Sequence, residues 1–251
     1  QSSARNIVIL DNQDSKVPHV TLLFWIIKIF ATTLGETGGD ALSMSLDLGY
    51  LLSTGIFALI FIAAVTVQIK ATKFHPYLYW LTIVATTTVG TTLADYATRD
   101  MGIGYTGGSA ILLTCVVISL VVWRWVMGTV AVESVSTAKA EVFYWVTIMF
   151  SQTLGTALGD WFSDSLDLGY LVAAAVFGTA LLITSLLYRF TNASRALLFW
   201  VAFILTRPLG AVVGDFLDKP LDHGGLNLSR FTASAVLLVL IVAFIYIFPQ
   251  K

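Results

Sequence analysis

The sequence predicts an all-α membrane protein with eight transmembrane helices, built from four parallel two-helix repeats. Two observations carry this prediction. Apolar residues make up 57% of the 251 residues and charged residues only 12%, which is far less charge than a soluble domain carries. The second observation is a signature that returns four times along the chain, with two apolar stretches in each copy.

Eight stretches are long and apolar enough for a helix that crosses a bilayer core of about 30 Å. Barrel strands are excluded because the stretches are too long and do not alternate strictly. Lipid also requires that a segment satisfy its own backbone hydrogen bonds, which favours helices. The predicted spans cover residues 20–40, 49–68, 76–95, 105–125, 142–160, 169–187, 196–215 and 231–248.

Each odd-numbered span carries the signature W-x9-G-x4-D-x8-G, which in the first copy is Trp25, Gly35, Asp40 and Gly49. Copies one and three are the most similar, as LGETGGDALSMSLDLGY and LGTALGDWFSDSLDLGY show. The chain therefore reads as a doubled two-repeat unit, with an N-terminal tail over residues 1–18, a first half over 19–130 and a second half over 131–251.

Because each repeat holds two spans, all copies are expected to enter the membrane in the same direction. The odd-numbered helices are then expected to form a pseudo-fourfold or two-by-two ring within one chain. The oligomeric state of the protein stays open.

The charge distribution predicts the orientation. Eleven of the fifteen acidic residues lie in or next to the segments that join the two spans of a repeat, and most Lys and Arg lie on the opposite side. Since Lys and Arg mark the cytoplasmic face, both termini are predicted to be cytoplasmic in a cell inner membrane. The motif tryptophans would form an interfacial aromatic belt at that face; they are Trp25, Trp80, Trp145 and Trp200.

The motif glycines form small-x3-small patterns, which let helix backbones approach closely in lipid. A packing role is therefore predicted for Gly35, Gly39, Gly90, Gly155, Gly159, Gly210 and Gly214.

The four motif aspartates are the first candidates for a functional site. Each lies fifteen residues after its tryptophan, about 22 Å along a helix, near the outer end of the bilayer core. Charged groups at membrane depth are costly and often functional. Two roles stay open: capping or tying the following turn, or binding a cation together with Glu36. The aspartates are Asp40, Asp95, Asp160 and Asp215.

One face of each odd-numbered helix carries a polar stripe at a spacing of four residues. If the faces converge, the stripes stack in layers below the aspartates. The next layer holds Glu36, Thr91 and Thr156, the third holds Thr32, Thr87, Gln152 and Arg207, and Lys28 is deepest. Glu36 and Arg207 are expected to pair across the bundle. Lys28 either lines a transport path or snorkels toward the cytoplasm.

The GxxxGD pattern on four tandem helix pairs resembles an uncharacterised bacterial family of multi-pass membrane proteins, over nearly the whole chain. The resemblance implies a multi-pass fold without a particular activity. The segment Glu36-Thr-Gly-Gly-Asp40 is weakly similar to the E-x-G-D signature of cation exchangers, with one additional residue. That likeness implies cation-ligand chemistry.

The oxygen-rich candidate residues favour a transporter or channel for a hard divalent cation such as Mn²⁺, Mg²⁺ or Ca²⁺. The expected partners are the lipid bilayer and the transported cation, with no nucleic acid and at most a bound divalent cation as cofactor. The sequence lacks HExxH, GxSxG and phosphate-loop motifs, so an enzyme is not predicted. Two alternatives stay open: a structural or accessory membrane protein whose aspartates hold turns, and an organic-cation transporter.

Overall fold

The computed structural model describes residues 15–250, and most of them lie in eight long α-helices. The described residues contain no strand, which confirms the all-α class. The helices are α1 (Leu22–Asp40), α2 (Gly49–Lys70), α3 (Pro76–Asp95), α4 (Gly104–Met127), α5 (Ala138–Asp160), α6 (Gly169–Phe190), α7 (Arg195–Asp218) and α8 (Arg230–Ile247). Most of the predicted tail, residues 1–14, lies outside the described residues, as does residue 251.

Five of these helices are long and apolar enough to cross a membrane, by length and composition: α2, α4, α6, α7 and α8. This supports a membrane protein, although the count falls short of the eight predicted spans. Helices α1, α3 and α5 are less apolar because they carry buried polar side chains, among them Lys28, Thr87 and Gln152.

The odd-numbered helices form a closed ring in which α1 packs against α3, α3 against α5, α5 against α7, and α7 against α1. Each even-numbered helix packs mainly outside the ring, on the first helix of the following repeat. Thus α2 lies on α3, α4 on α5 and α6 on α7, while α8 returns to α1 and closes the circle. Of the two predicted arrangements, the pseudo-fourfold ring is the one observed.

The four contacts between neighbouring helices of this ring are called seams below, and the motif glycines lie at these seams. A methyl group placed on Gly35 would overlap the side chain of Thr87, and the same substitution on Gly155 would overlap Arg207. Each motif glycine thus accommodates a residue that lies three positions before the motif glycine of the next inner helix. The remaining seams pair Gly90 with Gln152 and Gly210 with Thr32.

A second glycine, one helical turn after the motif glycine, extends the close contact at three of the seams. Gly39 faces Thr91, Gly159 faces Ala211, and Gly214 faces Glu36. Because equivalent residues meet at every seam, the four inner helices run parallel to one another. One end of the ring therefore holds all four motif aspartates and is called the acidic end below.

The opposite end of the ring is filled with aromatic side chains and is called the aromatic end below. At each seam, the aromatic residue that precedes one motif tryptophan packs against the motif tryptophan of the next inner helix. The pairs and their ring-centroid separations are Phe24–Trp80 at 5.5 Å, Tyr79–Trp145 at 5.7 Å, Tyr144–Trp200 at 6.1 Å and Phe199–Trp25 at 5.6 Å.

The predicted interfacial belt of tryptophans is therefore wrong for three of the four. Trp80, Trp145 and Trp200 are at most 2% exposed, and only Trp25 is partly exposed. The indole rings fill the interior of the ring at the aromatic end, away from the motif glycines, and bury a large apolar area there.

Three inner helices end in a five-residue π-helical turn that begins directly after the motif aspartate. These turns are Ala41–Ser45, Tyr96–Asp100 and Trp161–Ser165. In the fourth repeat, α7 instead continues as an α-helix to Asp218. Single π-helical turns are rare in proteins, but those that occur are often found at functional sites. Here they shape the acidic end of the ring.

The steric role of the seams predicts opposite effects for two glycine-to-alanine substitutions. Gly155→Ala places its methyl group on the Cβ and Cγ atoms of Arg207, which cannot swing away, so we expect a loss of about 1–3 kcal/mol. The matched control Gly178→Ala lies in helix α6 with open space around it and gains helix propensity, worth up to about 1 kcal/mol. Thermal unfolding in detergent, followed by tryptophan fluorescence, measures both. Equal unfolding midpoints for the two variants would contradict close packing of Gly155 against Arg207.

Candidate functional site

The four motif aspartates are buried at the acidic end and are joined in pairs by two cationic side chains. The guanidinium of Arg99 lies 3.2 Å from Asp95 Oδ1 and 3.0 Å from Asp160 Oδ2, so it connects α3 with α5. The ammonium of Lys219 lies 3.1 Å from Asp215 Oδ1 and also binds Asp40 Oδ2, so it connects α7 with α1.

The two bridging cations occupy equivalent positions in the even-numbered repeats, four residues after the motif aspartate. The odd-numbered repeats carry Met44 and Asp164 at this position. Among the described residues, a cation therefore bridges the motif aspartates at the α3–α5 and α7–α1 seams and not at the other two. A fourfold backbone thus carries a twofold arrangement of charge.

The predicted site did not include Arg99 and Lys219, although their spacing from the motif aspartates indicates a contact. A base four residues after a helical carboxylate lies on the same face of the helix, which places it beside that aspartate. Its second partner on a neighbouring helix depends on the order of helices in the ring, and the repeats alone leave that order open.

The predicted alternative that the motif aspartates cap the following helices is wrong. Helices α2, α4 and α6 follow Leu48, Ile103 and Leu168, and none of these residues provides a side-chain cap. The carboxylates are instead directed toward the cations at the seams.

Arg99 is further held by the tyrosines that follow the last glycine of the signature. Its Nε donates to the hydroxyl of Tyr105 at 3.0 Å, and its NH1 donates to the hydroxyl of Tyr50 at 3.2 Å. Charge-assisted hydrogen bonds to two separate acceptors fix the orientation of a guanidinium. The motif tyrosines therefore belong to the acidic end.

A third carboxylate joins the Lys219 pair. Oxygen atoms of Asp40, Asp215 and Asp218 all lie within 4.8 Å of one another, and Arg230 Nε lies 3.2 Å from Asp218 Oδ2. Burial lowers the pKa of Lys219, but the three carboxylates raise it by more, so the ammonium keeps its charge well above its ordinary pKa. Asp218 was not among the predicted site residues because it lies outside the fourfold signature.

An open cavity of about 710 Å³ lies over the acidic end. Its lining includes Arg99, Lys219 and Arg230, so the cations that bind the buried carboxylates also face the cavity. Five buried carboxyl groups meet three cationic side chains here, so acidic groups outnumber basic groups beneath the cavity. Such an arrangement attracts cations.

Below the aspartates, one network joins all four inner helices. The predicted pair is present, with Arg207 NH1 at 3.0 Å from Glu36 Oε2. Arg207 NH2 donates to the hydroxyls of Thr91 and Thr156, each at 2.6 Å. Thr91 in turn donates to Glu36 Oε2 at 3.2 Å. The second and third predicted layers are thus connected through a single arginine.

The third layer is only partly satisfied. Thr32 Oγ1 donates to the carbonyl of Thr206 at 3.3 Å, and Thr87 Oγ1 donates to the carbonyl of Ala31 at 3.2 Å. The amide of Gln152 is buried, and neither its nitrogen nor its oxygen has a hydrogen-bond partner within residues 15–250.

Lys28 is fully buried, so the predicted snorkelling is wrong. Its ammonium lies 3.9 Å from the ring centroid of Phe203 and donates to the hydroxyl of Thr206 at 3.3 Å. The packed side chains of the aromatic end separate Lys28 from the surface toward which it was predicted to snorkel. The side chain is instead held by its cation–π contact with Phe203.

The comparisons with known proteins define a family and no more. The sequence profile described as "Repeat of Unknown Function (DUF347)" matches four times, over residues 23–74, 78–129, 143–194 and 198–250. Each match covers one helix pair, in agreement with the predicted tandem repeats. No curated protein and no solved structure matches the chain.

The central network predicts strong coupling between Glu36 and Arg207. Arg207→Met leaves a buried carboxylate without its cation and is expected to cost about 3–5 kcal/mol. The double variant Glu36→Gln/Arg207→Met removes both charges, so it should recover much of that loss. Thermal unfolding of the two single variants and the double variant measures the coupling. Additive effects of the single substitutions would contradict a direct pair.

Proposed function

We propose that this chain, which belongs to the DUF347 repeat family, is a membrane transporter for a small cation. The observation that carries the proposal is the set of five buried carboxylates at the acidic end, which meet only three cationic side chains that line the cavity above them. Buried charge without full compensation is costly, and in membrane proteins it marks ion paths.

The ligand chemistry favours a hard divalent ion. The carboxylates of Asp40, Asp95, Asp160 and Asp215, with Glu36 and the threonine hydroxyls below them, offer oxygen atoms, which Mn²⁺, Mg²⁺ and Ca²⁺ prefer. The described arrangement is closed at both ends, by the bridging cations and by the aromatic pairs. A carrier that alternates between states therefore fits better than an open channel.

The topology completes the proposal. All eight helices cross the membrane, with the acidic end outside and both termini in the cytoplasm, following the distribution of Lys and Arg. Helices α2, α4 and α8 shield the polar helices α3, α5 and α1 from lipid. The chain then divides into halves at residue 130, each with two repeats.

Single cysteines test this topology in a Cys115→Ala background. Ser136, Ser165 and Asn192 are exposed and flank α5 and α6 in turn. A membrane-impermeant maleimide added to intact cells should label Ser165→Cys only, with Ser136→Cys and Asn192→Cys labelled after permeabilisation. Labelling of Ser136→Cys and Ser165→Cys from the same side would show that α5 does not span.

Flux in proteoliposomes tests the transport itself. We expect uptake of one of Mn²⁺, Mg²⁺ or Ca²⁺, and a fall of about tenfold or more for Asp40→Asn or Asp160→Asn, the effect of one lost charged ligand worth ~1.4 kcal/mol. The control Asp47→Asn changes an exposed acid with a φ of 55°, which asparagine adopts readily. Its flux should equal that of the wild type.

A structural role is the second candidate, because each motif aspartate binds a cation that bridges two neighbouring inner helices. It predicts no flux of any ion tested and unfolding of the aspartate variants at lower temperature. Flux of an organic cation alone would instead replace the divalent ion as the cargo.

A further inference from the structure

We propose that Asp40, Asp215 and Asp218 form a divalent-cation site that the ammonium of Lys219 occupies as a tethered competitor. A cation from solution binds by displacing this ammonium. The inference rests on the proposed function only in taking a cation as the ligand, and it concerns binding at one seam rather than transport.

The geometry of the cluster supports a metal site. Its three carboxylates come from two neighbouring inner helices, α1 and α7, and their ligand atoms lie within 4.8 Å of one another. That spread is compatible with oxygens placed around one ion at 2.3–2.6 Å, the usual Ca²⁺–oxygen distance. The space between Asp40 and Asp215 is the space that the Lys219 ammonium fills.

Two oxygen atoms point to a ligand beyond the lysine. Asp40 Oδ1 and Asp218 Oδ1 are buried, and neither has a hydrogen-bond partner in the described part of the chain. Both side chains are at most 1% exposed. An orphan carboxylate oxygen in a buried site carries a large desolvation cost, which a metal ion removes.

The charges leave room for one more positive group. Three carboxyl groups face two cations, Lys219 and Arg230, so the cluster has one acidic group more than it has basic groups. A divalent ion in place of the lysine ammonium, together with Arg230, matches the formal charge of three carboxylates.

Lys219 is suited to leave the site. It lies one residue beyond the end of α7, its side chain is 14% exposed, and it lines the open cavity together with Met44 and Arg230. A flexible lysine is a point charge on a long stem, so its ammonium can move into the cavity while the carboxylates stay in place. The same cavity gives an ion access.

Displacement of the lysine has a consequence for the ring. Lys219 bridges α7 and α1, and so its release removes one of the two cationic bridges at the acidic end. The bound ion is held by Asp40 of α1 and by Asp215 and Asp218 of α7, so it bridges the same two helices in place of the ammonium.

The second repeat offers a matched control. Arg99 bridges Asp95 and Asp160 as Lys219 bridges Asp215 and Asp40, but Thr98 stands where the fourth repeat has Asp218. Removal of Arg99 therefore frees two motif carboxylates, whereas removal of Lys219 frees a cluster of three.

The first experiment measures Mn²⁺ binding to the purified protein in detergent at fixed ionic strength. Lys219→Met should bind Mn²⁺ about tenfold more tightly than the wild type, since the competitor is gone, and Lys219→Met/Asp218→Asn should lose this gain. Arg99→Met should give a smaller gain than Lys219→Met, because it frees two motif carboxylates rather than a cluster of three. Equal gains for Lys219→Met and Arg99→Met, or none for Lys219→Met, would overturn the inference.

The second experiment uses the wild-type chain and does not depend on the folding of a variant. Mn²⁺ should increase the modification of Lys219 by an amine-reactive ester, measured by peptide mass spectrometry, because the displaced ammonium enters the cavity. Lys70 and Lys73 serve as internal references at the other end of the molecule. Unchanged modification of Lys219 at saturating Mn²⁺ would overturn the inference. Positive binding without flux in proteoliposomes would instead contradict transport and leave this site standing.

Discussion

The architecture depends on the absence of side chains at four glycines. Gly35, Gly90, Gly155 and Gly210 let each inner helix receive the polar side chain of the next at backbone distance. Lipid provides no hydrophobic force between helices, so close packing and hydrogen bonds between them must hold such a ring together. The contact also determines where the stripes point, because Thr32, Thr87, Gln152 and Arg207 are the residues that fill the seams.

Repetition and divergence act on different parts of the molecule. The backbone ring, the glycine seams and the aromatic pairs follow all four copies, whereas the cations Arg99 and Lys219 occur only in the even copies. Two seams are therefore bridged at the acidic end and two are not. The bridged seams are α3–α5 and α7–α1, so the units that charge holds together are offset by one repeat from the halves suggested by sequence similarity. Glu36, Arg207 and Lys28 occur once each and break the remaining symmetry.

Much of this fold could be predicted from the sequence, because the period, the helix ends and the layers of the polar stripe are local properties of a repeat. The pair of Glu36 with Arg207 could be predicted because two unique charges in a symmetric frame have few other partners. The role of Lys219 could not, since its partners depend on which helices are neighbours. The burial of Trp80 was missed for a related reason: a tryptophan near a helix end suits an interface or a packed ring equally, and the choice depends on Phe24 from another repeat.

The inner helices divide into a polar half near the acidic end and an aromatic half at the other. The polar half carries a costly network around Arg207, and apolar residues of similar volume would hold a static bundle together at least as well. In the aromatic half, each seam is closed by a pair of packed rings. An ion that reaches Glu36 from the acidic end therefore passes further only if those rings separate. Lys28 lies over Phe203 at the boundary between the halves, so a path from the acidic end to the other end of the ring requires this side chain to move as well as the rings.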